Sequence, residues 1–127
     1  MSIPSSSAAP STDKPYGISQ IRGYIPIQLD LTKLNYDVWR ELFETHCTSF
    51  GVIGHLDGTS SPSPDDEKAW KERDGLVKMW IYGTVSEQLL DTILKAKSTA
   101  QDLWTTLEDL FRDNKEAQSL QYDNELR

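Results

Sequence analysis

Between Asn35 and Gly58 the chain reads NYDVWRELFETHCTSFGVIGHLDG, and no other stretch restricts the possible folds as tightly. Trp39, Leu42, Phe43, His46, Cys47 and Phe50 recur at i, i+3, i+4, i+7, i+8 and i+11, which is one face of a helix with 3.6 residues per turn. Asn35 stands where a side chain can cap the first free amides, and Gly51 stands where a left-handed residue ends a helix cheaply. A stripe this aromatic has to be covered, so the remaining segments are expected to pack over it.

The rest of the chain supplies the cover. Ser63 looks like an N-cap, followed by Pro64 and the acids Asp65, Asp66 and Glu67, which predicts a helix from Pro64 to about Gly83. Its segment Leu76 to Tyr82 is apolar on most sides and is expected to be the most enclosed part of the fold. Gly75 lies inside this helix and suggests a bend or a close approach. Ser86 caps a short helix carrying Leu89, Leu90, Ile93 and Leu94. Thr99 with Asp102 begins another, with Ala100, Leu103, Trp104, Leu107, Leu110 and Phe111 at helical spacing. Asp113 and Asn114 interrupt that pattern, and residues 115–127 resume it as a fifth helix with Ala117, Leu120 and Leu126 inward. This last helix stops without a C-terminal signal, which suggests the edge of a truncated product.

Before the aromatic stripe the character changes twice. Residues 1–15 are rich in Ser and Pro and too poor in large apolar groups to offset the entropy of ordering, so a disordered leader is expected, running to residue 23. Tyr24, Ile25, Ile27, Leu29 and Leu31 then alternate around Pro26, Gln28 and Asp30. Pro26 would remove a ladder donor, so the alternation predicts an extended strap lying across helices and not a strand within a sheet. Val52, Ile53 and Leu56, set among Gly54, Asp57 and Gly58, predict a loop folding back on the core. Each of the four Trp can bury roughly 150–250 Å², and one shared interior is the simplest way to house most of them. The expected class is all-α: a bundle of four to five helices over residues 24–127, with the strap before its first helix.

The net charge of −7 is spread so that neither half of the chain is basic, and Lys95 with Lys97 is the densest positive feature. Nucleic-acid affinity is dominated by phosphate neutralisation, so this chain by itself is a poor candidate for it. No apolar run approaches the ~18–20 residues of a membrane span, and the N-terminus lacks the order of a signal peptide. A cytoplasmic location is the default, with the nucleus left open. The single Cys47 permits no internal disulfide.

The inventory of chemistry is thin. His46 and Cys47 are neighbours on a helix and point about 100° apart, a poor arrangement for a nucleophile and its base. His55 in an apolar loop is expected to be a hydrogen-bonded packing residue. Two His and one Cys make no tetrahedral zinc set. Asp65, Asp66 and Glu67 are accounted for by a helix N-terminus, and Gly51, Gly54 and Gly58 lack the order of a phosphate-binding loop. No catalytic residue, cofactor, metal or small-molecule substrate is expected.

Taken in order, several pieces resemble the N-terminal capsid portion of a copia-type retrotransposon Gag polyprotein. They are Ile25-Pro26-x-x-Leu29; Leu34-Asn35-Tyr36-x-x-Trp39 with Phe43 following; Gly51-x-x-Gly54-His55-Leu56-Asp57-Gly58-Thr59; Trp70 and later Trp80-Ile81; and Thr99-Ala100-x-x-Leu103-Trp104-x-x-Leu107-x-x-x-Phe111. The resemblance implies a helical capsid lobe that contacts other copies of itself and helps build a virus-like particle around element RNA. It implies no catalytic role for these positions. The second capsid lobe and the Cys/His knuckle of such a Gag would lie downstream, so RNA is expected to be handled there, and homo-oligomers are expected to draw on that missing lobe. The alternative is a domesticated, Gag-derived interaction module in which a helical groove takes an extended peptide, the strap at 24–31 filling it otherwise.

Overall fold

A computed structural model describes the backbone of residues 18–94 and 97–126 and the side chains of residues 21–94 and 97–115. Among the described residues six α-helices follow one another: α1 (Ile18–Tyr24), α2 (Tyr36–Ser49), α3 (Gly54–Asp57), α4 (Glu67–Thr84), α5 (Glu87–Ile93) and α6 (Ala100–Leu126), with one 3-10 turn over Leu31–Lys33. The described residues contain no strand, only an isolated parallel bridge between Leu29 and Val85. The class is all-α, as the periodicity predicts. No helix among the described residues is long and apolar enough to cross a membrane.

The stripe on α2 forms the centre. Trp39, Phe43 and Cys47 have no exposed surface, and His46 has little. Trp39 and Phe43 lie 4.9 Å apart, ring centroid to centroid, and each lies 5.4 Å from Trp104 of α6. A second aromatic group forms one turn further on, where His46 meets the Trp80 ring edge-on at 4.3 Å and Phe50 packs on both. Val77 and Ile81 of α4, Leu89 and Ile93 of α5, and Leu103, Leu107 and Phe111 of α6 close the interior around these rings. Three of the four indoles are buried. Trp70 is only half-buried and packs elsewhere. Within Leu76 to Tyr82, Met79 is exposed, so that segment is enclosed on one side only.

Between Tyr24 and the 3-10 turn at Leu31 the strap is neither helix nor strand and bends at Ile27. Ile25 and Leu29 are buried, Ile27 is half-buried and Pro26 is exposed, which is the alternation read from the sequence. Leu29 donates its amide to Thr84 O and accepts the Ser86 amide, both at 2.8 Å, so the strap is fastened at the junction of α4 and α5.

Several expectations are corrected. Helix α1 occupies residues assigned to the leader: Ile21 and Ile25 are four apart, so both reach the core from one face, and Ile21 is 1% exposed. Tyr24 therefore closes a helix and does not begin the strap; the leader over residues 1–17 lies outside the described residues. Asn35 makes no side-chain cap on α2. Its amide group reaches back instead, donating to Gln28 O at 2.8 Å and accepting the Asp30 amide at 3.1 Å, which pins the strap. Helix α4 starts at Glu67 and not Pro64, because Asp66 turns its carboxylate back to the amide and hydroxyl of Ser63. Residues 52–58 contain the short helix α3. Helix α6 runs without a break past Asp113, which is exposed, and Asn114, which is half-buried, because a polar residue costs a helix interior only a few tenths of a kcal/mol. The inward placement of Ala117, Leu120 and Leu126 lies outside the described side chains, as does Lys95.

Two caps agree with the sequence. Ser86 Oγ accepts the Leu89 amide at the start of α5. Thr99 and Asp102 exchange hydrogen bonds, each side chain accepting the other's amide, which is a capping box.

Candidate interaction surface

Most positions that carry the resemblance are spent on the interior. Leu29, Trp39, Phe43, Leu56, Trp80, Ile81, Leu103, Trp104, Leu107 and Phe111 are all buried. Gly54 and Gly58 shape the turns around α3: a Cβ on Gly54 would stand 2.8 Å from Ser60 Cβ, and Gly58 adopts φ +81. Pro26 and Asn35 serve the strap. Tyr36 and Trp70 are half-buried.

Tyr36 leads to a cleft with an apolar floor. It measures about 360 Å³ and is lined by Leu34, Tyr36 and Asp37 at the start of α2, by Arg40 one turn on, and by Glu108, Phe111, Arg112 and Lys115 of α6. The floor is a parallel stack of Tyr36 on Phe111, 5.0 Å between centroids and 15° between planes. Burial pushes the Tyr36 phenol above its ordinary pKa, so it is a neutral hydroxyl at physiological pH. Arg40 stands over the inner wall, 6.0 Å from the Tyr36 ring and 5.9 Å from Trp104, and reaches Glu44 and Glu108 at 3.2 Å each. Leu34 lines the cleft and is 57% exposed; Val38, equally exposed, does not line it. Leu34 is held there by a left-handed backbone, φ 51, that closes the 3-10 turn.

A second cluster was not legible as a unit. His55 Nδ1 lies 3.0 Å from Asp74 Oδ1, and Asp74 Oδ2 accepts the amide of Ala100, the first residue of α6, at 3.1 Å. Trp70 stacks on the His55 ring at 4.7 Å and donates its indole N–H to Ser60 Oγ. Both carboxylate oxygens of Asp74 are thus committed to joining α3, α4 and α6. His55 is the hydrogen-bonded packing residue expected of it, whereas no motif singles out Asp74. One signal existed: Trp70, Asp74, Val77 and Ile81 keep helical spacing, so an acid lay on an apolar stripe.

The remaining reactive groups are packing residues. Burial pushes the Cys47 thiol up to about 12, far from a thiolate at neutral pH. Burial lowers the pKa of His46, whose Nε2 is enclosed with no hydrogen-bond partner. No three His, Cys, Asp or Glu side chains among the described residues come together as a metal ion would need.

Compared with protein-family models, with curated proteins and with solved structures, the chain matches none. The resemblance to a copia-type Gag therefore stands on the residues quoted for it.

Proposed function

We propose that this chain is a structural self-association domain, the capsid lobe of a Gag-like polyprotein that contributes to virus-like particles in the cytoplasm. The observation that carries the proposal is the exposed Leu34 at the rim of an aromatic-floored cleft, on a body most of whose large apolar motif residues are buried. Apolar side chains held outward by a fixed backbone suit adhesion better than turnover of a substrate. The titratable groups His55, Asp74, His46 and Cys47 are given to packing and to joining helices. RNA contact falls to the downstream part of such a polyprotein, in keeping with a net charge of −7 here.

Light scattering across a concentration series tests the proposal. A weight-average mass rising reversibly above 14.4 kDa is expected; a mass fixed at that value up to the solubility limit would refute it.

The strap favours one other reading, the peptide-binding module. Its backbone is joined to the α4–α5 junction by two hydrogen bonds at Leu29, a mode that an extended peptide in trans could copy. Leu29→Asp should loosen the strap and raise the affinity for a labelled peptide spanning residues 24–31. Equal affinity in the variant and the natural chain would remove this reading.

A further inference from the structure

We propose that α1 is an acid-released latch: when His46 takes up a proton, Tyr24 and its helix lift away from α2 and α4 while the rest of the bundle stays folded. His46 is 6% exposed, and its Nε2 is enclosed with no hydrogen-bond partner. A neutral imidazole tolerates this, because one of its nitrogens carries no proton and can face apolar surface. An imidazolium carries N–H on both nitrogens, so protonation puts a donor and a charge where nothing receives either. The groups around the ring are Tyr24 from α1, Phe50 at the end of α2 and Trp80 from α4, at 5.2, 4.7 and 4.3 Å between centroids. Burial is the sole cause that lowers its pKa, and no charged side chain of these elements contributes. Its chain neighbour Cys47 stays a neutral thiol, pushed up to about 12.

The packing around His46 singles out α1 as the part that yields. Trp80 is fully buried within the 18-residue α4, whereas Tyr24 is 54% exposed at the end of a seven-residue helix. Helix α1 is held by apolar contact, with Ile21 and Ile25 in the core and Tyr24 across the rings of His46 and Phe50. A helix this short does not persist alone in water. Beyond it the strap is fastened separately, by two backbone hydrogen bonds at Leu29 and by the Asn35 side chain, so release stops there. Lifting Tyr24 brings water to His46 by moving the least firmly held neighbour, and it uncovers the side of α4 against which α1 packs.

Hydrogen exchange of the full chain at pH 7.5 and 5.5, corrected for the intrinsic exchange rate, tests this. Protection of residues 22–25 should fall about threefold to tenfold at the lower pH, while α2, α4 and α6 keep theirs. His46→Gln, which cannot ionise, should abolish the fall. An equal fall in the variant and the natural chain would overturn the assignment to His46. A change below about twofold, or an equal loss over all helices, would overturn the latch. His55 is the other imidazole; it joins α3, α4 and α6, so an effect of its protonation is read in those elements and not in α1. An NMR titration of the natural chain decides the matter even where the variant fails to fold. The Tyr24 ring and the His46 imidazole should shift together with one midpoint below pH 6.5, and separate midpoints would overturn the coupling.

Discussion

The Asp74 carboxylate stands 3.0 Å from His55 Nδ1 through one oxygen and 3.1 Å from the Ala100 amide through the other. One side chain thereby joins the loop helix α3, the long helix α4 and the N-terminus of α6. Removing it leaves a buried imidazole and a helix-end amide without partners, each of which costs roughly 1–3 kcal/mol. Asp74→Ala is expected to lower stability by about 3 kcal/mol or more, while Asp74→Asn, which keeps one acceptor, should lose about half of that. Urea unfolding checks both. Equal, small losses would show that the carboxylate does not hold these elements together.

His46 is the source of a pH dependence. Burial depresses its folded-state pKa below the ordinary value of 6.5, so between the two values the unfolded chain binds a proton that the folded chain does not. Stability from this group is complete above about pH 6.5 and falls as the pH drops below it. Unfolding free energies measured from pH 7.5 down to 5 should decline, and His46→Gln should flatten that decline. An unchanged slope in the variant would assign the dependence to other groups.

Cys47 should be silent in the folded protein. Its thiol is fully enclosed and pushed up to about 12. Thiol-specific reagents at neutral pH are expected to label it only at the rate of global unfolding, accelerating with urea in step with the unfolding curve. Rapid stoichiometric labelling in native buffer would contradict the packing around α2.

Two glycines should respond in opposite directions. Gly58 has φ +81 and points towards the Gln101 side chain, so Gly58→Ala is expected to destabilise by about 1–2 kcal/mol. Gly75 lies within α4 with open space where a Cβ would go, so Gly75→Ala should stabilise by about 0.5–1 kcal/mol. Thermal unfolding of the two variants separates them. The close approach expected at Gly75 does not occur there; it occurs at Gly54, against Ser60.

The difference between Gly75 and Gly54 shows which features could be read from the sequence. Trp39, Phe43, Trp80 and Trp104 announce themselves, because large rings at helical spacing have few places to go except a common interior. Ser86 and the Thr99–Asp102 box are equally plain, since each acts within four residues of itself. What escaped depends on segments far apart in the chain. Asn35 looks like a cap until Gln28 and Asp30 are brought beside it, and only then is the strap the better partner. Asp74 has no meaning alone; its partners lie 19 and 26 residues away. Helix α1 is short, and its polar residues hide the spacing of Ile21 and Ile25. The cleft was invisible for the same reason, because Tyr36 and Phe111 are joined only by the packing of α2 on α6.

Hydrogen exchange of the full chain, compared between dilute and concentrated solution, tests most directly whether copies adhere through this cleft. Amides at the start of α2, around residues 36–40, and in α6, around 108–115, should gain protection on concentration while the buried turn of Trp80 stays unchanged. Exchange that is independent of concentration everywhere, or protection gained only away from the Tyr36–Phe111 cleft, would contradict it.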